Sequence, residues 1–319
     1  MRVLVTGATS LLGATVATSL ARRGDDVTCL QRRPSDTGLR DVSADITDAD
    51  AVRRAADGHD AIVHLAALVA PRARWQRFVD VNIGGSANVV AAAAGCGRLV
   101  HISTPSVAFD NSPAMGPDAE PARYSGRDGY ARSKAIAERM VLSTSIVPTV
   151  VLRPHLVWGP GDTQLVGRIV DRAVAGRLAL PRGGAALVDS TYVTDAADAI
   201  VAGLDATADA GHRAVGRAWV VSGGEPRPVR DLVASILIAA GVEPSWRSTP
   251  GMVASIAGAL VGVAWPGSEP PLTHFAARQL TVAHWFDQRQ ACEALGWEPA
   301  VGLDAGFVEL ARWFAEHRR

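Results

Sequence analysis

The most pointed chemistry in this chain lies in Gly129-Tyr130-Ala131-Arg132-Ser133-Lys134-Ala135. Lys134 is the only lysine among 319 residues; the other 31 of the 32 basic residues are arginine, and Lys134 stands four positions after one of only three tyrosines. On a helix that spacing sets two side chains next to each other on one face. A phenol beside a permanent ammonium is a way to make a usable acid near neutral pH. A surface lysine snorkelling past a packed tyrosine would show the same spacing, so the pair needs a surrounding site to give it meaning.

A second cluster could hold a nucleotide. Val3 to Val5 reads as a buried parallel strand, followed by Thr6-Gly7-Ala8-Thr9-Ser10-Leu11-Leu12-Gly13, an apolar-periodic helix to about Arg23, a closing Gly24 and a strand over Val27 to Leu30. Strand, glycine turn, helix and strand within about 30 residues is the dinucleotide-binding unit. Gly7 lets the turn form, Gly13 lets helix and strand approach, and the helix N-terminus faces a pyrophosphate. The middle glycine of the usual pattern is Ser10. At the end of the second strand, where an acidic residue would select NAD, the chain reads Gln31-Arg32-Arg33. Two guanidiniums suit a 2′-phosphate, so NADP(H) is the expected cofactor, with NAD(H) compatible through Gln31. Asp45 follows a short third strand and could accept from an adenine amino group, while Asp48 suits a helix cap. Ala61 to Leu65 is a fourth strand, and Ala66-Ala67 beyond it leaves room for a ribose. Leu99 to Ser103 is a fifth, running into Thr104-Pro105-Ser106, hydroxyls placed where open α/β sheets bind ligands.

The elements that must position these residues alternate strand and helix over the first 155 positions, which predicts an α/β fold with a doubly wound parallel Rossmann sheet. Val150 to Leu152 is a sixth strand; Asp195 to Leu204 reads as a helix and Ala218 to Val221 as a strand, both added to the first domain. Pro228 to Ala240 and Phe307 to His317 read as helices of a smaller, mainly helical cap. The expected division is 1–160 plus about 188–221 for the nucleotide domain, and about 161–187 plus 222–319 for the substrate cap. The formal charge of +0 favours no nucleic acid or anionic membrane. Cys29, Cys96 and Cys292 form no CxxC or Cys/His cluster, so neither a metal nor a disulfide framework is expected. The chain opens on a strand without a leader pattern, which predicts a cytoplasmic protein. Met252 to Trp265 is an uncharged run of 14 residues closed by Pro266, too short to span a bilayer. It is expected to line a greasy substrate pocket or to touch a membrane surface or a partner enzyme.

With Thr6-Gly7 to Gly13, Asp45-Ile46, His64 to Ala67, Val81-Asn82-Ile83-Gly84-Gly85, Ser103-Thr104, the Tyr130/Lys134 pair, Arg153-Pro154 and Trp158-Gly159-Pro160 in place, the sequence resembles the extended short-chain dehydrogenase/reductase superfamily over essentially its whole length. Ser103 to Val107, Leu152 to Val166 and Leu187 to Val193 look most like its 3β-hydroxysteroid dehydrogenase branch. Glu269-Pro270-Pro271-Leu272-Thr273, Gln279-Leu280 and His284-Trp285-Phe286 look like the bacterial 2-alkyl-3-oxoalkanoate reductases of long-chain olefin biosynthesis.

The resemblance implies a role for each matching residue. Tyr130 would protonate the carbonyl oxygen, or take the proton in reverse; Lys134 would lower its pKa and hold the nicotinamide ribose. Thr104, in place of the commoner Ser, would hydrogen-bond the substrate oxygen, with Ser103 and Ser106 as alternatives. Gly7, Thr9, Ser10, Leu11, Leu12, Gly13, Arg32, Arg33, Asp45, Ile46, Leu65, Ala66, Ala67, Asn82, Pro154 and Leu156 would bind cofactor; Ser106, His155, Gln164 and Tyr192 would face substrate. A compact ammonium can serve ribose hydroxyls and phenol together, as a planar guanidinium does not, which accounts for lysine at 134 alone. The implied reaction is NADP(H)-dependent interconversion of a 3-oxo and a 3-hydroxy group on a large apolar substrate. A sterol 3β-dehydrogenase, a nucleotide-sugar epimerase and a non-catalytic NADP-binding regulator are the alternatives; an apolar cap with few polar anchors disfavours the epimerase. By the same analogy, helices near 72–95 and 130–145 suggest a homodimer.

Overall fold

The structure, a computed structural model, describes residues 1–70, 73–108, 113–116, 119, 121–123, 128–249 and 282–317. The 252–265 run and the Glu269 to Leu280 motifs lie outside the described residues. Strands β1 (Arg2–Thr6), β2 (Asp26–Gln31), β3 (Arg40–Ser43), β4 (Ala61–His64) and β5 (Leu99–Ile102) carry the first half of the chain. The short β6 (Ala114–Met115) precedes β7 (Thr149–Pro154). Then follow β8 (Val157–Trp158), β9 (Ala179–Pro181), β10 (Leu187–Val188), β11 (Thr191–Tyr192), β12 (Ala218–Val221), β13 (Arg227–Pro228), β14 (Arg247–Thr249) and β15 (His284–Trp285). Seven of these make one parallel sheet in the order β12-β7-β5-β4-β1-β2-β3. The chain direction across the sheet reverses between β1 and β4, and an open α/β sheet binds ligands in the crevice at that point.

The central strands are mainly apolar, with polar side chains towards their carboxyl ends, because both faces of the sheet are covered. Val3, Val5, Val63, Val100 and Leu152 point to one side, packing with α1 (Leu11–Arg22) and, later in the chain, the helix over Val193–Ala206. Leu4, Ile62, Leu99 and Val151 point to the other, towards α2 (Ala49–Ala56), and, past α3 (Trp75–Phe78), α4 (Gly85–Cys96) and α5 (Gly129–Thr144). Each such fully buried side chain contributes about 1.5–3 kcal/mol of transfer free energy. Helix starts follow local signals: Ser10 caps α1 by accepting from the Gly13 N–H, Asp48 caps α2 from Ala51, and Asp128 caps α5 from Ala131 at 2.8 Å.

Beyond β8 come α6 (Val166–Val174), α7 (Val193–Ala206), α8 (Val229–Ala239), α9 (Arg289–Leu295) and α10 (Leu303–Glu316). The cap is helical as expected, but a small four-stranded sheet (β13-β10-β15-β6) and two-stranded pairs tie it together. These strands are two or three residues long and carry no periodic signal. One helix departs from the expected division: Ala291, Ala294 and Leu295 of α9, with Trp297, pack into the core of the large sheet beside Ala197 and Ile200. Their small apolar face fits the alanine-rich surface of α7. Another departure is a π-helical segment, Val79–Gly84, between α3 and α4. Among the described residues, no helix is long and apolar enough to cross a membrane.

Candidate active site

A cleft of about 300 Å³ opens at the carboxyl ends of β1, β2, β4 and β5, running from the glycine turn to Tyr130 and Lys134. Gly7, Thr9, Ser10 and Leu12 form one wall; Arg32, Arg33, Asp45 and Ile46 close the far end; Leu65, Ala66 and Ala67 line the middle. The turn is built for close approach. Gly7 sits at φ +85°, where a Cβ would come 2.7 Å from the Ala66 nitrogen. A Cβ on Gly13 would lie 2.3 Å from the Gly7 carbonyl oxygen. Ser10 is explained by its second job: its hydroxyl donates to the Gly7 carbonyl at 2.9 Å and accepts from the Gly13 N–H at 3.1 Å. With Gly13 so capped, the N–H groups of Leu11 and Leu12 are the first-turn donors without a partner among the described residues, aligned with the helix dipole for an anion. This cradle fits a dinucleotide pyrophosphate.

At the β2 end, Gln31 donates from its side chain to Asp41 at 2.7 Å, and Ser35 N–H binds the other Asp41 oxygen. Arg32 is less free than its sequence neighbours suggest, since Asp45 approaches it to 4.0 Å. Asp45 itself accepts from the backbone and hydroxyl of Thr47. Arg33 and Arg77 also reach this cleft; Arg77, from α3, was not among the residues singled out in the sequence. Nothing local marks it, because α3 is placed at the cleft by tertiary packing, against α5 among others.

At the other end α5 presents Tyr130 and Lys134. Lys134 is 2% exposed and donates to the Ile102 carbonyl at 2.6 Å. Burial drives its pKa down to about 8, against an upward pull from Glu138. Tyr130 moves the other way, up to about 12, because desolvation and the nearby Asp128 carboxyl disfavour the phenolate; the Thr104 hydroxyl bonding to it works in the opposite sense. The expected lowering of Tyr130 by Lys134 is therefore not found in the protein alone. The ammonium is engaged with the carbonyl at the end of β5. The Ser106 N–H donates to Thr104 Oγ1 at 3.3 Å, and the Thr104 hydroxyl donates in turn to Ser106 Oγ at 3.2 Å. Ser103 lines the cleft with a buried hydroxyl that has no partner among the described residues.

Several named residues stand behind the cleft rather than in it. Asn82, in the π-helical turn, accepts from Leu68 N–H at 2.6 Å and donates to the Leu68 carbonyl and to Ser133 Oγ at 2.9 Å. Ser133 in turn donates to the Tyr130 carbonyl. Asn82 thus ties the cleft's middle wall to α5. Pro154 ends β7, and Leu156 adopts φ +41°, a strained conformation for leucine. It is held there from both sides: His155 N–H donates to the Val221 carbonyl, Thr191 Oγ1 to the His155 carbonyl at 2.6 Å, and Thr191 N–H to the Leu156 carbonyl. His155 is buried edge-on against His284 and Phe286. Gln164 is exposed and accepts from Arg168, and Tyr192 packs against Trp158 in the cap core with Phe307. Neither lines the cleft.

Comparisons with known proteins agree with this geometry. Residues 3–221 match the model of the NAD dependent epimerase/dehydratase family. The chain is 37% identical over 325 residues to a 2-alkyl-3-oxoalkanoate reductase of Stenotrophomonas maltophilia, covering 97% of this chain and 98% of that one. It is 33% identical to another of the same name from Shewanella oneidensis, covering 96% and 84%. A 3β-hydroxysteroid dehydrogenase/Δ5→4-isomerase of Mycobacterium tuberculosis is 30% identical, covering 98% and 90%. In fold the chain matches a UDP-glucuronic acid 4-epimerase from Bacillus cereus solved with NAD, with TM-score 0.76 and 20% identity over the whole of both chains. The chain belongs to the NAD dependent epimerase/dehydratase family, the extended short-chain dehydrogenases/reductases. It is an NAD(P)-dependent oxidoreductase acting on a CH–OH group and its ketone.

Proposed function

We propose that the chain reduces the 3-oxo group of a 2-alkyl-3-oxoalkanoate, or a similarly large apolar ketone, with NADPH as donor, as in hydrocarbon biosynthesis. One observation carries the reading: Tyr130, bonded to Thr104, and Lys134 line one end of a cleft whose other end offers Arg32 and Arg33. The bound nicotinamide supplies the hydride. Lys134 holds the ribose with the N–H groups that Ile102 leaves, and Leu11 and Leu12 take the pyrophosphate. Arg33, together with Arg32, takes the 2′-phosphate. Pro154 and the strained Leu156 orient the ring's neighbourhood.

The direction of proton flow follows from the phenol. A tyrosine pushed up to about 12 keeps its proton at neutral pH. It is then poised as an acid towards the far more basic alkoxide that forms as the carbonyl is reduced. Thr104 donates to that oxygen and afterwards steadies the phenolate. In this reading residues 1–160 with about 188–221 bind cofactor, and the remainder, apart from α9 and Trp297, forms the substrate cap of a cytoplasmic enzyme. A second reading, a sterol 3β-dehydrogenase, is favoured by the steroid dehydrogenase likeness.

The test is NADPH oxidation with a 2-alkyl-3-oxoalkanoate and with a 3-oxosteroid in parallel. Tyr130→Phe should lower kcat by about 10²–10⁴-fold, the usual worth of a positioned acid. Turnover undiminished by that change would overturn the mechanism; turnover of the steroid alone would move the substrate to the second reading.

A further inference from the structure

The α5 face that presents Tyr130 and Lys134 carries a third ionisable group. Tyr130, Lys134 and Glu138 recur every four residues, so they rise along one stripe. Glu138 is 1% exposed. Burying a carboxylate is costly unless it is paired, and Arg153, also 1% exposed, pairs with it in a two-pronged contact from β7: Nε donates to Oε2 at 2.9 Å, and NH2 to Oε1. This bidentate geometry fixes the carboxylate in place. Arg153 offsets part of the carboxylate's field, and Glu138 still stands one helical turn from Lys134 on the same face of α5.

Lys134 needs such a field. Among the described residues no carboxylate is in direct ion-pair contact with it, and its hydrogen bond to the Ile102 carbonyl is to a neutral group. The other ionisable groups facing it give no negative charge. His101 from β5 and His64 from β4 are buried and kept neutral, partly by Lys134 itself. Tyr130 keeps its proton. Arg153 adds positive charge from β7, beyond Glu138. Asp128 lies at the start of α5, beside Tyr130.

We propose that Glu138, locked by Arg153, is the countercharge that keeps Lys134 protonated and so sets the upper pH limit of the site. Glu138 is a positioning residue: it touches neither cofactor nor substrate and acts through Lys134. The link to activity rests on the proton-transfer role proposed for Tyr130 and Lys134; the electrostatic coupling does not. Burial already brings Lys134 to about 8 with Glu138 in place. Two charges one turn apart, about 6 Å, in a medium of effective dielectric constant about 20 shift a proton affinity by about two pH units at most. Without Glu138, Lys134 would lose its proton near or below neutrality.

The single lysine makes the test direct. Protein grown with lysine labelled with ¹³C at Cε gives one lysine resonance, whose titration reads Lys134 without any turnover. In the cofactor-free protein, Glu138→Gln should move that titration down by about one to two pH units. Glu138→Asp, which retains the charge, should leave it within a few tenths. Removing one partner of a buried pair can unfold a domain, so the double variant Glu138→Gln/Arg153→Met supplies a neutral replacement; it too should titrate below wild type, though by less than Glu138→Gln. The alkaline limb of kcat/KM for ketone reduction should follow the resonance. A Lys134 titration unmoved in the folded double variant and in Glu138→Gln would overturn the proposal and leave the ion pair a structural brace. A resonance that moves while the kcat/KM profile stays fixed would instead sink the proton-transfer role of Lys134.

Discussion

Replacing Lys134 by methionine should make the cofactor-free protein more stable at pH 7 while abolishing turnover. The magnitude follows from the proton affinity. A lysine ordinarily titrating at 10.5 and held at about 8 in the folded state costs the folded protein about 3 kcal/mol wherever the unfolded chain carries the full charge. Methionine removes that cost with a side chain of similar length. Against it stands the Ile102 carbonyl, which loses its 2.6 Å donor and, if left unpaired, gives back about 1–3 kcal/mol. The net at pH 7 is a gain of about 1 kcal/mol. The pH dependence is larger and cleaner. Between pH 8 and 10.5 the folded wild type has shed a proton that the unfolded chain still holds, so its stability rises with pH through this window, by about 3 kcal/mol in total. Methionine has no such term. Cys96, raised to about 11, and Tyr130, raised to about 12, act in the opposite sense as pH rises, but they are present in both proteins and cancel in the difference. Urea unfolding of both proteins from pH 7 to pH 10 measures it. A difference in stability that stays flat with pH, or a variant whose advantage grows as pH rises, would refute the desolvated state of Lys134.

Two further outcomes test the nucleotide end. Gly13→Ala places a methyl 2.3 Å from the Gly7 carbonyl oxygen, which is backbone and cannot swing aside; a loss of about 1–3 kcal/mol in unfolding free energy and a weaker NADPH titration should follow, and a variant that melts and binds like wild type would show that the turn is looser than drawn. Arg32→Ser with Arg33→Ser should weaken NADPH by about tenfold or more while sparing NADH, since each charge-assisted contact is worth about 1.5–3 kcal/mol; equal weakening of both cofactors in a binding titration would take the 2′-phosphate away from these arginines.

Much of the frame was legible because its signals are local. Asp48 as a cap, Gly13 as a close-packing position, and Ala218–Val221 as an added strand need only neighbouring residues to be read, and each stands where the pattern puts it. The unread parts are those that depend on distant partners. The π-helical turn places Asn82 against Leu68 and Ser133, 14 and 51 residues away. The two-residue strands of the cap are too short to show alternation. Tyr130 was read as an acidified phenol from its spacing to Lys134, yet spacing reports adjacency and is silent about water; desolvation decides the sign. Ser10 looked like a defect in a glycine motif and is a helix cap, a role that a glycine would have filled without a side chain.

The stripe on α5 makes sense only with the sheet beneath it. Thr6, His64 and His101 are register partners on β1, β4 and β5, all facing the α4–α5 side. Thr6 bonds His64 at 2.7 Å, His64 reaches Ser86 at 3.1 Å, and Ser86 donates to the Asn82 carbonyl. Arg153 lies on the same side of β7, two residues beyond Val151, the register partner of His101. A fold that sought stability alone would fill these buried positions with valine and isoleucine, as it does one turn lower along the same strands. The polar layer lies at the carboxyl ends, beside the Ile102 carbonyl that holds the Lys134 ammonium. Stability given up there lies beside the site it serves. The Lys134→Met variant measures what the buried ammonium costs, and the shift of the Lys134 titration in Glu138→Gln how much of that cost the carboxylate offsets.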